Sequence, residues 1–296
     1  MYNKAFLFNG IGSKPEKLLV NLPPELMDKY NSYLDSAFGR LNLNKDLEKN
    51  LGYDGKVAEW LISLICDRVV CEYYISKGII PDIGAGYSSG IVSISSCFGS
   101  IPHNFAHDII MMNRATMRCL AEHNENLNMG IVIGFSYNDI NDLFKDRFSP
   151  DEIIIGSGNS KFHVMISGQA DAVEKALSLC QEEGAIKAFS LGTGVAYHHP
   201  IMQKYTHEYV DFCASAEYSA PVYPILSIFD REIMTTGEQI LRENQLNVYT
   251  PIRWDLAMKK LEELGVTEFF DVSANGAVRK FSRVGRKCKI YTLEDV

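Results

Sequence analysis

The chain has 296 residues, of which 46% are hydrophobic and 22% charged, with a formal net charge of -8 at pH 7. That length predicts a large domain with a smaller one beside it, and the ordinary composition excludes disorder and fibrous repeats. The acidic balance argues against a nucleic-acid surface, which needs clustered Lys and Arg to displace counterions, so small molecules or proteins are the expected partners.

At the N-terminus, AFLFNG (5–10) reads as a buried strand running into a tight loop at Asn9-Gly10. The segment has too few consecutive apolar residues for a signal peptide, and no later run is long enough to span a bilayer. No membrane contact and a cytoplasmic location are therefore expected. Residues 57–76 carry apolar side chains on more than one helical face and predict a deeply buried helix. IIPDIGA (79–85) is a strand candidate, followed at once by Gly86-Tyr87-Ser88-Ser89-Gly90 and the apolar helix candidate IVSISSCF. Residues 105–123 predict a second helix, with Arg114 set among Ile and Met.

From 123 to 192 the pattern is strand (129–135), helix (138–146), strand (152–157), strand (162–168), helix (170–184), strand (185–191). This βαββαβ order is that of a ferredoxin-like unit. Beyond it, 200–216 predicts a helix, 222–229 a strand, 237–245 and 254–265 helices, and 268–273 a final strand. The alternation implies a mainly parallel α/β sheet. The expected architecture is thus a large α/β domain over 1–122 and 193–296, hydrolase-like, with an inserted ferredoxin-like α+β subdomain over 123–192. The seven cysteines are scattered without CxxC spacing and read as reduced core thiols.

A GxSxG segment between a strand and a helix has a physical rationale. The turn is so tight that its flanking positions must be small, and the serine is pushed out at the helix N-terminus, where the dipole and the N–H of the next residue favour developing negative charge. A bare GxSxG is also a common turn, and here the flanking strand and helix are what favour a nucleophile. A serine needs a base. Of the seven histidines, His198 and His199 stand out, because they precede Pro200 just past a strand in a segment with glycines able to hold unusual backbone angles. Either of the pair fits, and a paired surface histidine is the competing reading.

FLFNGIGS near the N-terminus, GYSSG at 86–90, NFAHDIIMMNR at 104–114, VMISGQADAVEKA at 164–176, AYHHPIM at 196–202, and YTPIRW with ELGVTEFFDV together resemble the malonyl-CoA:acyl carrier protein transacylase family across nearly the whole chain. The resemblance implies that Ser88 becomes acylated, that His198 is the general base, and that His199 lies outside the chemistry. It implies backbone oxyanion donors at Ile11 and Ser89, and a main-chain carbonyl near Asn247 that steadies the histidine. It makes Arg114 the partner of a free carboxylate on the acyl group, a task that suits the planar guanidinium fork. The competing reading of Arg114 is a surface ion pair. Tyr87 and Asn159 complete the residues expected to bind substrate; no metal is expected.

Tyr87, Ile91 and Ile11 stand where the family has histidine, glutamate and glutamine, and no glutamine lies near Trp60, so a more apolar pocket is expected. The implied reaction is acyl transfer from acyl-CoA to the phosphopantetheine thiol of an acyl carrier protein, with no bound cofactor. An acyl-thioester hydrolase acting on carrier proteins in polyketide synthesis, or a non-catalytic carrier-docking module, are the alternatives. A carrier is acidic as a class, and Arg279, Lys280, Arg283, Arg286 and Lys287 form either a patch for it or a solvated tail.

Overall fold

The computed structural model describes residues 2–10 and 14–296. β1 (Lys4–Phe8) is the N-terminal apolar run, and Ala5 to Phe8 are fully buried, as a strand covered by helices on both faces must be. Next come two helices, each with a proline in its first turn, that lie outside the elements expected from sequence: α1 (Pro15–Leu19) and α2 (Pro24–Leu41). α2 turns Leu26, Tyr30, Leu34 and Phe38 inward at four-residue spacing and ends at Asn42 in the left-handed region. α3 (Asp54–Ser76) is buried around most of its circumference. β2 (Ile83–Gly86) begins only after Pro81, while α4 (Gly90–Cys97) and α5 (His103–Glu122) follow it.

The next stretch comprises β3 (Leu127–Ile133), α6 (Tyr137–Phe144), β4 (Ile153–Ser160), β5 (His163–Gln169), α7 (Ala170–Glu182) and β6 (Lys187–Ser190). These strands pair antiparallel in the order β6-β3-β5-β4, and the two helices cover one face of their sheet around a separate apolar cluster. α6 starts at a capping box between Ser136 and Asp139.

The segment expected to be one helix over 200–216 is instead a 3-10 turn (Pro200–Lys204) and a short α8 (His207–Cys213). The side chain of His199 accepts a hydrogen bond from Ile201 N and caps the first of these. The strand expected over 222–229 shrinks to β7 (Ile225–Leu226), because Pro221 and Pro224 lack the N–H that a sheet ladder needs. Then come β8 (Ile233–Met234), α9 (Gly237–Leu246), β9 (Ile252–Arg253), α10 (Trp254–Glu263), β10 (Glu268–Asp271), α11 (Ala277–Phe281) and β11 (Lys289–Tyr291).

The large sheet has the order β11-β10-β1-β2-β7-β8, parallel except for the β7–β8 pair. One apolar cluster packs α2 to α5 against one face, and a second packs α10 and α11 against the other. β9 joins neither β10 nor β1: it pairs parallel with β4 and makes the smaller sheet five-stranded. Among the described residues no helix is long and apolar enough to cross a membrane. All seven cysteines are free thiols.

Candidate active site

The turn between β2 and α4 is as tight as its glycines suggest. A Cβ on Gly86 would lie 2.5 Å from backbone atoms of Gly90 and Ile91, and one on Gly90 would lie 2.5 Å from the carbonyl oxygen of Phe8. Between them Ser88 takes φ +53°, a left-handed conformation that side chains with a Cβ adopt at a cost of about 1–2 kcal/mol. Tyr87 N donates to Phe8 O at 2.9 Å and Gly90 N to Tyr87 O at 2.9 Å, which pins the turn to β1.

His198 is also left-handed, with φ +65°, and its side chain is buried at 1% exposure. Its Nε2 lies 2.7 Å from Ser88 Oγ, and its Nδ1 lies 3.1 Å from the carbonyl oxygen of Thr250. A carbonyl only accepts, so Nδ1 carries the ring hydrogen and the free Nε2 accepts from the serine hydroxyl. Burial pushes the imidazole pKa down from 6.5 to about 4, while the Thr250 carbonyl pulls the other way. The result is a neutral imidazole able to take a proton from Ser88.

His199 is turned away to cap the 3-10 turn, so the structure separates the histidine pair that sequence left open. The carbonyl expected near Asn247 belongs to Thr250; Asn247 instead lines the cavity in which Ser88 and His198 meet. Ile11 lies outside the described residues. Ser89 lines the same cavity at the start of α4.

Tyr87 and Asn159 meet each other, though neither lines that cavity. The Tyr87 hydroxyl shares hydrogen bonds with Ser157 and Asn159, and its ring packs on Trp254 and Phe281 with centroids 5.5 and 4.7 Å away. Asn159 accepts from Ser157 Oγ at 2.6 Å and donates to His163 Nδ1 at 2.9 Å.

Arg114 is not brought to the site. Its side chain is 53% exposed and ion-paired with Asp54 at 3.4 Å, the arrangement that competed with the carboxylate role. Successive helical residues are rotated by about 100°, and it is Asn113 that faces the cavity, where Tyr197 OH donates to its Oδ1 at 2.5 Å. Asn113, Asn247, Tyr197 and Tyr209 bring polar groups to a wall whose surface is otherwise more apolar than polar. Tyr197 adjoins His198 and Asn113 adjoins Arg114, but nothing in their spacing marks them as wall residues. Ser167 Oγ on β5 donates to the Tyr197 carbonyl at 2.8 Å and ties the smaller sheet to the histidine segment. Among the described residues no group of three or more His, Cys, Asp or Glu side chains could hold a metal ion.

No protein-family profile matches the chain. It is 24% identical over 303 residues to a malonyl CoA-acyl carrier protein transacylase of Bacillus subtilis, covering 98% of this chain and 93% of that protein. A transacylase of the same name from Haemophilus influenzae is 25% identical over a shorter stretch, 65% of this chain and 61% of that one. Among solved structures, the transacylase of Coxiella burnetii superimposes with a TM-score of 0.83 at 22% identity, covering 98% of this chain and 93% of that one. A malonyl-transacylase in complex with a type II PKS acyl-carrier protein superimposes with a TM-score of 0.82 at 21% identity, covering 99% and 96%.

The mainly parallel sheet carrying the Ser88 turn, joined to a ferredoxin-like unit, is the α/β fold that the chain shares with these structures. In sequence the chain is similar along nearly its whole length to the malonyl CoA-acyl carrier protein transacylases.

Proposed function

We propose that the chain moves a malonyl-type acyl group from CoA to the phosphopantetheine thiol of an acyl carrier protein, through an ester on Ser88. The observation that carries this reading is the 2.7 Å contact between Ser88 Oγ and a His198 whose other nitrogen is held by the Thr250 carbonyl.

His198 Nε2 takes the hydroxyl proton as Ser88 Oγ attacks the thioester carbonyl carbon. The tetrahedral oxyanion is received by the Ser89 N–H at the α4 N-terminus, with Ile11 N–H as the second donor. The C–S bond breaks, the thiolate of CoA takes the proton from the imidazolium, and acyl-serine remains. The carrier's thiol then enters, gives its proton to His198 and attacks the ester carbonyl, and Ser88 leaves with that proton restored. No bound cofactor is required at any step. Tyr87 and Asn159, hydrogen-bonded to each other outside the cavity that holds Ser88 and His198, are the further substrate-binding residues of this reading.

The domain division that goes with this reading is 1–122 and 193–296 for the large unit and 123–192 for the small one, in a cytoplasmic enzyme. The carrier is expected on the basic side chains near α11, of which Arg279, Lys280, Arg283, Arg286 and Lys287 are exposed.

The test is intact-mass measurement after incubation with malonyl-CoA. Addition of one malonyl group to the wild type and none to Ser88→Ala is expected, followed by transfer to added holo-carrier protein. Release of free malonate in place of malonyl-carrier would make the chain a hydrolase. Carrier binding with no acylation would make it a docking module.

A further inference from the structure

The cavity in which Ser88 and His198 meet has a volume of about 20 Å³, room for one water molecule. Two side-chain amides stand in its wall. Asn113 is occupied: its Oδ1 accepts from Tyr197 OH at 2.5 Å and its Nδ2 donates to Ile110 O at 2.9 Å. Asn247 is 4% exposed, and its Oδ1 has no hydrogen-bond partner among the described residues. A buried acceptor in that state costs stability unless a donor from outside the chain meets it. Asn247 also ends α9 and opens the segment that grips the histidine, since Val248 O accepts from His198 N at 3.2 Å and Thr250 O lies 3.1 Å from Nδ1. The amide is thereby tied to the imidazole through the backbone next to it.

We propose that Asn247 holds a water beside His198, and that this water gives the chain a second activity, hydrolysis of the acyl-Ser88 ester when no thiol is at hand; the proposal rests on the acyl-transfer reading of the same site. A buried water needs two to four polar partners, and the cavity offers Asn247 Oδ1, His198 Nε2 and Ser88 Oγ. Once Ser88 is acylated its hydroxyl hydrogen is gone, so Nε2 has lost the donor that stands 2.7 Å away in the free enzyme. The water then donates one hydrogen to Asn247 Oδ1 and the other to Nε2, which leaves its oxygen lone pairs for the ester carbonyl. His198 takes a proton as the water oxygen attacks the carbonyl carbon. The C–Oγ bond breaks, Ser88 Oγ recovers that proton from the imidazolium, and the free acid leaves. Thiol and water compete for one base, but Asn247 serves only the water. A thiol has a single hydrogen, and once that is given to Nε2 nothing remains for Oδ1.

The experiment loads Ser88 with malonyl-CoA, removes the excess, and follows loss of the ester by intact mass with and without pantetheine as the thiol acceptor, in wild type, Asn247→Ala and Asn247→Asp. Without thiol, the wild-type ester is expected to decay faster than the ester of the same acylated chain unfolded in urea. Asn247→Ala is expected to lower the ratio of hydrolysis to transfer about tenfold, the loss of one hydrogen bond to the reacting water. Asn247→Asp keeps an oxygen acceptor and is expected to hold the ratio within about threefold. A loosened site slows both reactions together, so the ratio separates holding of the water from a structural role. An unchanged or raised ratio in Asn247→Ala, or equal falls in hydrolysis and transfer, overturns the role of Asn247. A wild-type ester as long-lived as that of the unfolded chain overturns the hydrolytic water, whatever the variants do, and leaves transfer standing. A wild-type chain that takes up no malonyl group overturns the transfer reading and the water with it.

Discussion

Ser88 and His198 are both held at positive φ, and they are two of only five described non-glycine residues in that state. Left-handed backbone at a side chain with a Cβ persists only where its surroundings over-determine it, and here the surroundings are the pinned turn and the Val248 carbonyl, which accepts from His198 N at 3.2 Å. The buried imidazole sets the pH behaviour. In the unfolded chain a histidine takes a proton near 6.5, whereas folded His198 does so only near 4. Between these values the unfolded state binds more protons, so the stability linked to His198 is complete above pH about 6.5 and drains away as pH falls towards 4, by about 3 kcal/mol in all. On the proposed acyl-transfer reading, the same depression keeps His198 able to act as base in mild acid. The rate of Ser88 acylation is expected to stay level from pH 8 to about 5 and to fall only below that; a midpoint near 6.5 in a stopped-flow or quench profile would contradict it.

Among the elements that build the site, the β2–α4 connection has little tolerance for added bulk. Gly90 lies against the carbonyls of Phe8 and Asn9, so an added methyl must push α4 away from β1. Gly90→Ala is expected to cost about 1–3 kcal/mol in urea denaturation, the usual toll of overpacking, and to slow acylation by at least tenfold as Ser88 Oγ moves off His198. A variant as stable and as fast as the wild type would show that the elbow can relax. The glycines were legible in sequence because their constraint is local: a turn this tight admits no Cβ whatever the rest of the fold does. The βαββαβ order was legible for a similar reason, since period-2 and period-3.6 patterning is written along each segment. α5 shows the limit. Its existence and length were plain, but whether residue 113 or 114 faces the cavity depends on how α5 sits against α3, and a rotation of one residue step decides it.

Across the whole molecule, the smaller sheet is not a free appendage. β9 extends it through β4, and Ser167 on β5 holds the carbonyl of Tyr197, the residue before the histidine. Ser167→Ala leaves that buried carbonyl without this donor and is expected to cost about 1–2 kcal/mol. Because the break lies one residue from His198, a fall in acylation rate of several-fold should accompany it, measured beside the melting temperature of the same sample. Loss of stability with no change in rate would mean that the two units communicate only through packing.

The amino-acid sequence by itself determined many of the elements, the serine elbow and the βαββαβ order, and carried the family resemblance, because each is a matter of local sterics, periodicity or residues in order along the chain. Only the tertiary structure decided which histidine meets the serine, that Thr250 is the residue near Asn247 that presents the carbonyl, and that Arg114 pairs with Asp54 away from the cavity. Those are relations between side chains and carbonyls on different elements, tens of residues apart. Their distances are fixed by how helices rotate and pack on the sheet, which no single segment encodes.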